Sequence, residues 1–100
     1  MAKMKDIILS FPASGSPDVV SYKMYYEIAP KAVTYDSPSV LLNATSVKLN
    51  DIPALQGIDG KCNIGVTAMD DGGNESDMSK LGDVPLDLGA PEAPGPLSIS

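Results

Sequence analysis

One strand and the turn that follows it, between Gly60 and Ser76, constrain the fold more than any other part of the chain. The turn is Asp70-Asp71-Gly72-Gly73-Asn74, made of residue types that favour tight or left-handed backbone conformations. Before it, apolar residues alternate with polar or small ones, a period of two that is typical of a strand with one buried face. The inward residues are Cys62, Ile64, Val66 and Ala68. The stretch therefore predicts a hairpin whose first strand packs one face on a core.

Further short alternating segments occur along the chain, and none has the periodicity of an amphipathic helix. They span residues 5–11, 19–28, 39–42, 44–49 and 77–86. Six or seven short strands separated by turn-forming residues predict an all-β antiparallel sandwich. A chain of 100 residues, of which 43% are hydrophobic, is large enough for one domain with one modest core.

The inward faces of these segments predict the residues of that core. Leu55 is added to them because it is expected to plug the crossover loop 50–60 into the core. The predicted core residues are Ile7, Leu9, Phe11, Tyr22, Met24, Tyr26, Val47, Leu49, Leu55, Cys62, Ile64, Val66 and Ala68.

The charge of the chain excludes two classes of partner. The formal net charge is -6, and all seven basic residues are lysines scattered along the sequence. Binding to a nucleic acid or to an anionic membrane surface needs clustered Lys or Arg. We therefore expect neither a nucleic acid nor a membrane as a partner.

The residue types that most enzymes need are scarce. The chain has no His, which is the commonest general base and metal ligand. Its single cysteine, Cys62, excludes an internal disulfide, a thiolate zinc site and a CxxC redox pair, and the alternation places it inward. The acidic residues fall in predicted loops or on outward faces. We therefore expect no enzymatic activity and no cofactor.

Four acidic residues near the 70–74 turn are the candidates for a metal site. A calcium ion takes several carboxylate and carbonyl oxygens. The spacing of an EF-hand loop is absent, however, and Asp and Asn in a turn commonly bond their own backbone. The turn interpretation is favoured over a calcium site. The four candidates are Asp70, Asp71, Glu75 and Asp77.

Two tyrosines are the candidates for a binding surface. Tyr25 points outward by alternation and is predicted to be exposed, and Tyr35 lies in a polar loop. Exposed tyrosines are favoured at interfaces, and a protein or a polysaccharide would be the ligand. The alternative is that both are isolated surface aromatics with no partner.

Four sequence motifs resemble those of a fibronectin type III domain, over about residues 5–86. Leu9-Ser10-Phe11 is similar to the B-strand motif, and Ser21-Tyr22-Lys23-Met24-Tyr25-Tyr26 to that of strand C. Cys62-x-Ile64-x-Val66-x-Ala68 is similar to the F-strand motif, and Asp70-Asp71-Gly72-Gly73-Asn74-Glu75-Ser76 to the F–G turn of many bacterial members. The resemblance implies an immunoglobulin-like antiparallel β-sandwich of six to seven strands with fibronectin type III topology.

The chain departs from the family in three ways. Cys62 stands where the family has a tyrosine that pins the E–F corner, and Phe11 stands where it has an inward Trp. The family's N-terminal A strand has no counterpart before residue 5. We therefore expect a sandwich domain over residues 1–88 that lacks this strand.

Residues 89–100 form a proline-rich linker followed by a short alternating segment, Leu97-Ser98-Ile99-Ser100. By resemblance, this tail is similar to a linker and the A strand of a following domain, which is the favoured interpretation. The alternative is that the tail, residues 90–100, adds as a strand to a neighbouring copy and forms a strand-swapped dimer. Otherwise a monomer is expected.

The resemblance implies a non-catalytic structural or spacer module of a larger multidomain protein, with its termini at opposite ends and neighbouring domains as partners. The alternative is a module that binds a protein or a polysaccharide through its loops or the exposed C-strand face. Bacterial members often accompany secreted enzymes or surface adhesins, which implies an extracellular or cell-surface parent. The first five residues do not resemble the apolar segment of a secretory signal, so we expect no signal peptide within this chain.

Overall fold

The protein is described by a computed structural model over residues 6–87 and 93–99. Within these residues, six strands form two antiparallel sheets, β1–β4 and β3–β2–β5–β6. The strands are β1 Ile8–Ser10, β2 Val19–Ile28, β3 Ser39–Leu42, β4 Ser46–Lys48, β5 Asp59–Asp70 and β6 Ser79–Asp87. The predicted all-β class is confirmed, and the two sheets are consistent with a β-sandwich. In the described part of the chain, no helix has the length and apolar character needed to cross a bilayer.

The long antiparallel pair β2–β5 is the centre of the larger sheet. Its register places Tyr22 opposite Ala68, Met24 opposite Val66 and Tyr26 opposite Ile64. Directly opposed residues lie on the same face of a sheet, so the two alternating sequences combine into one continuous apolar face. That face packs towards the smaller sheet and forms the core.

The core consists of one cluster of buried residues and a ring of half-buried ones around it. The buried members are Met24, Leu42, Leu49, Ile52, Leu55, Cys62, Ile64 and Leu86. The half-buried hydrophobic residues packed against them are Ile7, Leu9, Phe11, Tyr22, Tyr26, Val40, Val47, Ile58, Val66 and Val84. Ala68, which was also expected in the core, is half-buried at the end of the apolar face.

Two short 3-10 helices lie where the sequence predicts only a crossover loop. They span Leu49–Asp51 and Pro53–Leu55, and Pro53 opens the second, a position where its missing N–H costs nothing. The Ile58 N–H bonds the Leu55 carbonyl at 3.2 Å and continues the turn. Leu55 is fully buried, as expected of a plug.

The pairing of β5 with β6 contains a bulge. Cys62 lies opposite Val84 but Ile64 lies opposite Leu81, so two residues of β6 face the single Asn63. One of the two, Asp83, has a φ of 53°, and its N–H donates to Asn63 Oδ1 at 3.0 Å. This bond stabilises a backbone conformation that is uncommon for a residue other than glycine.

The outer face of the larger sheet is covered as well. Gly65 lies on this face, opposite Tyr25, and a Cβ atom there would overlap Met78 Sδ and stand 2.6 Å from its Cγ. Val33, which is buried, contacts the same place. Gly65 is therefore the point where Met78 and the loop 29–38 approach the sheet most closely.

Replacing Gly65 by Ala is expected to destabilise the protein by about 1–3 kcal/mol, because the added methyl group overpacks a filled space. Urea unfolding of Gly65→Ala, followed by circular dichroism, measures this loss. Gly15→Ala is the matched control, since a Cβ at Gly15 meets no atom within 4 Å. The double variant Gly65→Ala with Met78→Ala should be more stable than expected from the sum of the two single losses. Simple additivity would show that Met78 is not the obstacle.

Candidate functional site

The candidate binding tyrosines and one of the candidate acids meet on the outer face of the larger sheet. Tyr25 lies on this face beside Lys23, whose partner across β5 is Thr67. Tyr25 is only 2% exposed. The prediction that Tyr25 is exposed is therefore wrong: alternation identified the correct face, but loops cover that face.

Glu75 is the residue that joins β2, β5 and the following turn. Its Oε2 accepts a hydrogen bond from the Tyr25 hydroxyl and another from Thr67 Oγ1, the latter at 2.6 Å. A backbone bridge between Glu75 and Met69 places the acid at the edge of the sheet. The Glu75 carboxylate is thus directed back over the sheet and used as an internal acceptor.

Tyr35 holds the loop 29–38 against this network. Its ring meets the Tyr25 ring edge-to-face, with centroids 5.9 Å apart and planes at 72°. Its hydroxyl donates to the Ser76 carbonyl at 3.0 Å, although the residue remains 53% exposed. Lys23 Nζ lies 5.2 Å from the Tyr25 ring centroid, within range of a cation–π contact. The two tyrosines therefore form a packed pair, with only Tyr35 reaching the surface.

The electrostatics of this cluster follow from burial and shared hydrogen bonds. Burial, followed by the hydrogen bond to Glu75 and the charge of that residue, raises the pKa of Tyr25 to about 12. Burial opposes ionisation of Glu75, but the hydrogen bonds from Thr67 and Tyr25, with the charge of Lys23, outweigh it and leave its pKa below the usual value. At neutral pH the cluster is a neutral tyrosine donating to an ionised carboxylate.

The loop 29–38 has polar anchors of its own. Ser37 is buried, and its hydroxyl donates to Glu27 Oε2 at 2.8 Å, while the Thr34 N–H donates to the Ser37 hydroxyl at 2.9 Å. Asn63 Nδ2 donates to the Lys31 carbonyl at 2.8 Å. Every buried side-chain nitrogen and oxygen of the described residues has a hydrogen-bond partner. The cover of the outer face is therefore a satisfied polar structure.

The other candidate acids do not converge with Glu75. Asp70 Oδ1 accepts the N–H groups of Gly72 and Asn74 at 2.9 and 2.8 Å, which closes the turn. The hydrogen bonds from Asn74, backbone and side chain, lower the pKa of Asp70. Asp71 and Asp77 are exposed. Among the described residues, no group of three or more His, Cys, Asp or Glu is placed to hold a metal ion.

Cys62 is a buried free thiol. It lies within the core cluster, and burial raises the pKa of the thiol. Protonated thiols are poor nucleophiles, so this environment suits a packed core residue.

Two adjoining cavities open between the end of β1 and the start of β6, and the smaller one lies beside Leu9 and Leu81. The larger, of about 330 Å³, is bounded by Phe11, Tyr22 and hydroxyl groups that include those of Ser76 and Ser79. Phe11 and Tyr22 meet edge-to-face at 5.1 Å, and the Tyr22 hydroxyl accepts the Ser14 N–H at 3.0 Å. This concave patch combines aromatic edges with hydroxyls, and sequence reasoning did not find it because its residues come from four separate segments.

A search of family models, curated proteins and solved structures found no match to this chain. The chain's own residues are therefore the basis for a function.

Acidification is expected to destabilise the protein in part through Glu75. Folding lowers the pKa of Glu75. Its stabilising contribution is therefore complete at a pH above its pKa in the unfolded chain, which is near 4.3. The contribution is lost as the pH falls through the lower pKa of the folded state. Unfolding free energies between neutral pH and pH 3 measure the loss. Glu75→Gln should be less stable than the parent by about 1–2 kcal/mol at neutral pH and show a shallower decline on acidification.

Asp71→Asn is the matched control, because it removes one carboxylate from the same turn at an exposed position. It should leave the acid decline unchanged. An identical pH profile for Glu75→Gln and the parent would contradict the assigned role of Glu75.

Calcium is expected to leave the thermal midpoint unchanged. The Asp70 carboxylate already accepts bonds from its own turn, and Glu75 faces Tyr25, so the acids cannot form one oxygen cage without breaking these bonds. Thermal melts with calcium and then with a chelator test this expectation. A reversible shift of several degrees would contradict it.

Proposed function

We propose that this chain is a non-catalytic structural module of a larger multidomain protein. One observation carries the proposal: the side chains that could act in catalysis or bind a metal are already engaged in contacts within the fold. Glu75 accepts from Tyr25 and Thr67, Asp70 closes its own turn, and Cys62 is packed in the core. Side chains used in this way stabilise loops and sheets rather than act on a substrate.

The strand arrangement supports a fibronectin type III topology for the module. The motifs assign β1, β2 and β5 to the family's B, C and F strands. In immunoglobulin-like sandwiches, strands B and E share one sheet while C, F and G share the other. The observed sheets, β1–β4 and β3–β2–β5–β6, agree with this order. The two 3-10 helices between β4 and β5 offer a way to close the corner where Cys62 replaces the family's tyrosine.

The path of the chain modifies the idea of a spacer. The end of β1 lies beside the start of β6, since Phe11 and Leu9 line the same cavity as Ser79 and Leu81. The start of β1 and the end of β6 therefore lie towards the same end of residues 6–87. A first strand that would carry the chain to the opposite end is not among the described residues. Within residues 6–87 the chain thus enters and leaves the sandwich at one end, so the spacing of neighbouring domains depends on the segments that flank these residues.

The remaining parts of the proposal rest on the resemblance and on composition. The module is taken as residues 1–88, with residues 89–100 as linker and a candidate A strand of a following domain; residues 1–5, 88–92 and 100 lie outside the described ones. Neighbouring domains of the parent are the partners, and the parent is secreted or displayed at a cell surface. The net charge of -6 favours solubility of such an array.

A second candidate is a module that binds a protein or polysaccharide. The cavity beside Phe11 and Tyr22 favours it, because its volume falls within the range of small-ligand sites and its wall presents hydroxyls. Tyr25 no longer supports this function, since it is buried beneath Tyr35.

Titration of the isotopically labelled protein with soluble polysaccharides, followed by amide chemical shifts, separates the two candidates. No saturable shifts are expected for a structural module. Saturable shifts confined to Ser14, Ser76 and Ser79 would overturn the proposal in favour of binding. Ser79→Trp, which fills the cavity, should then abolish the shifts, whereas Leu41→Ser, at an exposed position that does not line the cavity, should not.

A further inference from the structure

Strand β1 has one open edge. It pairs only with β4 among the described strands. Two hydrogen bonds show which backbone groups on this side of the sheet face β4. The Phe11 N–H donates to the Thr45 carbonyl, and the Leu49 N–H donates to the Ile7 carbonyl. The alternation of an antiparallel ladder then directs the backbone N–H and C=O groups of Ile8 and Ser10 to the open edge. These groups form a template for one more short strand.

An apolar groove lies beneath that edge. Leu9 of β1 and the adjacent Phe11 form one wall, Ile64 and Val66 of β5 form the floor, and Leu81 of β6 forms the other wall. The space is about 130 Å³ and adjoins the larger cavity, with which it shares Phe11, Val66 and Ser79. Leu81 remains 54% exposed although its partner across β5, Ile64, is buried. Leu81 is thus left exposed at the rim of the core on this side.

The other exposed features of the sheets fit an added strand less well. The edge of β6 carries the bulge at Gly82 and Asp83 and also Pro85, which interrupts pairing. The edge of β3 presents the exposed Leu41, but none of the cavities described above borders β3. The edge of β1 combines free backbone groups with an apolar groove.

The tail of the chain has the matching pattern. Leu97 and Ile99 are 95% and 101% exposed, with Ser98 between them. In a strand, these two side chains would point to one face and Ser98 to the other. Residues 97–99 are as long as β1, and no charged residue occurs from 93 to 99.

The geometry points to an exchange of strands between two copies of this chain. Residues 97–99 of one copy pair with the open edge of β1 in the other, and Leu97 and Ile99 enter the groove between β1 and β6. Each copy has one tail and one groove, so a reciprocal exchange closes a twofold dimer. This inference does not depend on the structural role proposed for the module, but it replaces the assignment of residues 97–99 to a following domain.

The partner is a second copy rather than the same chain because of the linker and the position of the groove. The groove lies beside the start of β6, whereas the tail follows its end. To reach its own groove, the chain would have to reverse between the end of β6 and residue 97. Pro94 and Pro96, just before the exchanged segment, favour an extended backbone that resists such a reversal.

The charge of the chain predicts how the dimer responds to salt. Each copy carries a net charge of -6, so two copies repel each other, while the exchanged segment is uncharged. Salt screens the repulsion and strengthens apolar burial. The dimer is therefore expected to become tighter as the salt concentration rises.

Sedimentation equilibrium of the full chain, from dilute solution up to the concentration of an NMR sample, tests the exchange. The expected result is a rise from the mass of one chain to that of two. Leu97→Ser with Ile99→Ser should weaken dimerisation by about tenfold or more. Leu41→Ser, which removes an exposed leucine at a different edge, should leave it unchanged.

A second variant tests the groove. Ser10→Pro removes an N–H from the open edge while leaving the bonds of β1 to β4, and circular dichroism verifies that it folds. It should be monomeric. Mixing it with the Leu97→Ser, Ile99→Ser variant should restore a weaker dimer, since one protein retains a tail and the other a groove.

Three results would overturn the inference. A full chain that stays monomeric at every concentration excludes exchange, whether its tail is free or, as amide protection would reveal, folded back on its own groove. A dimer that survives the tail substitutions uses another surface. A mixture of the two variants that stays monomeric, while each is folded, contradicts pairing between tail and groove.

Discussion

The pairing of β2 with β5 is the interaction on which the rest of the structure depends. It keeps one register from Ser21 opposite Met69 to Ile28 opposite Cys62 and fixes both faces of the larger sheet at once. Because a shift of one residue would exchange the faces, a single register decides that Met24 lies in the core and that Tyr25 lies on the outer side. The apolar core and the polar cover are two consequences of one pairing.

The two faces are stabilised by different physics. The inner face is stabilised by the burial of aliphatic side chains, an effect that does not require an exact geometry. The outer face buries Tyr25 and Thr67 and brings Glu75 against them, and removing one partner of such a cluster leaves the others without their hydrogen bonds. The polar cover therefore specifies where the loop 29–38 and the turn after β5 must lie. The residues Tyr25, Tyr35 and Glu75, which the sequence offered as site candidates, thus hold the loops in place.

Period-two alternation was sufficient to predict the faces of the residues in β2 and β5, as Met24 and Ile64 illustrate, but not those of β6, where the bulge shifts the alternation between Leu81 and Val84. It could not predict that Tyr25 is buried, because its cover comes from Tyr35 and Glu75, which are distant in sequence. It likewise could not predict the exposure of Leu81: the residue pairs with the buried Ile64 but is itself 54% exposed. The face to which a residue points follows from the local sequence, whereas its burial depends on which distant segments cover that face.

Coverage is also where the sandwich is uneven. Loops close the outer face of the larger sheet, but the inner face stays open beside β1, where the exposed Leu81 lies at the rim. An open edge over apolar side chains invites uncontrolled pairing, and natural sheets often limit this by keeping the edge short. With three residues, β1 offers room for a segment of about the length of 97–99 and no more. The same shortness that protects the edge from aggregation therefore makes one specific, saturable partner sufficient to close it.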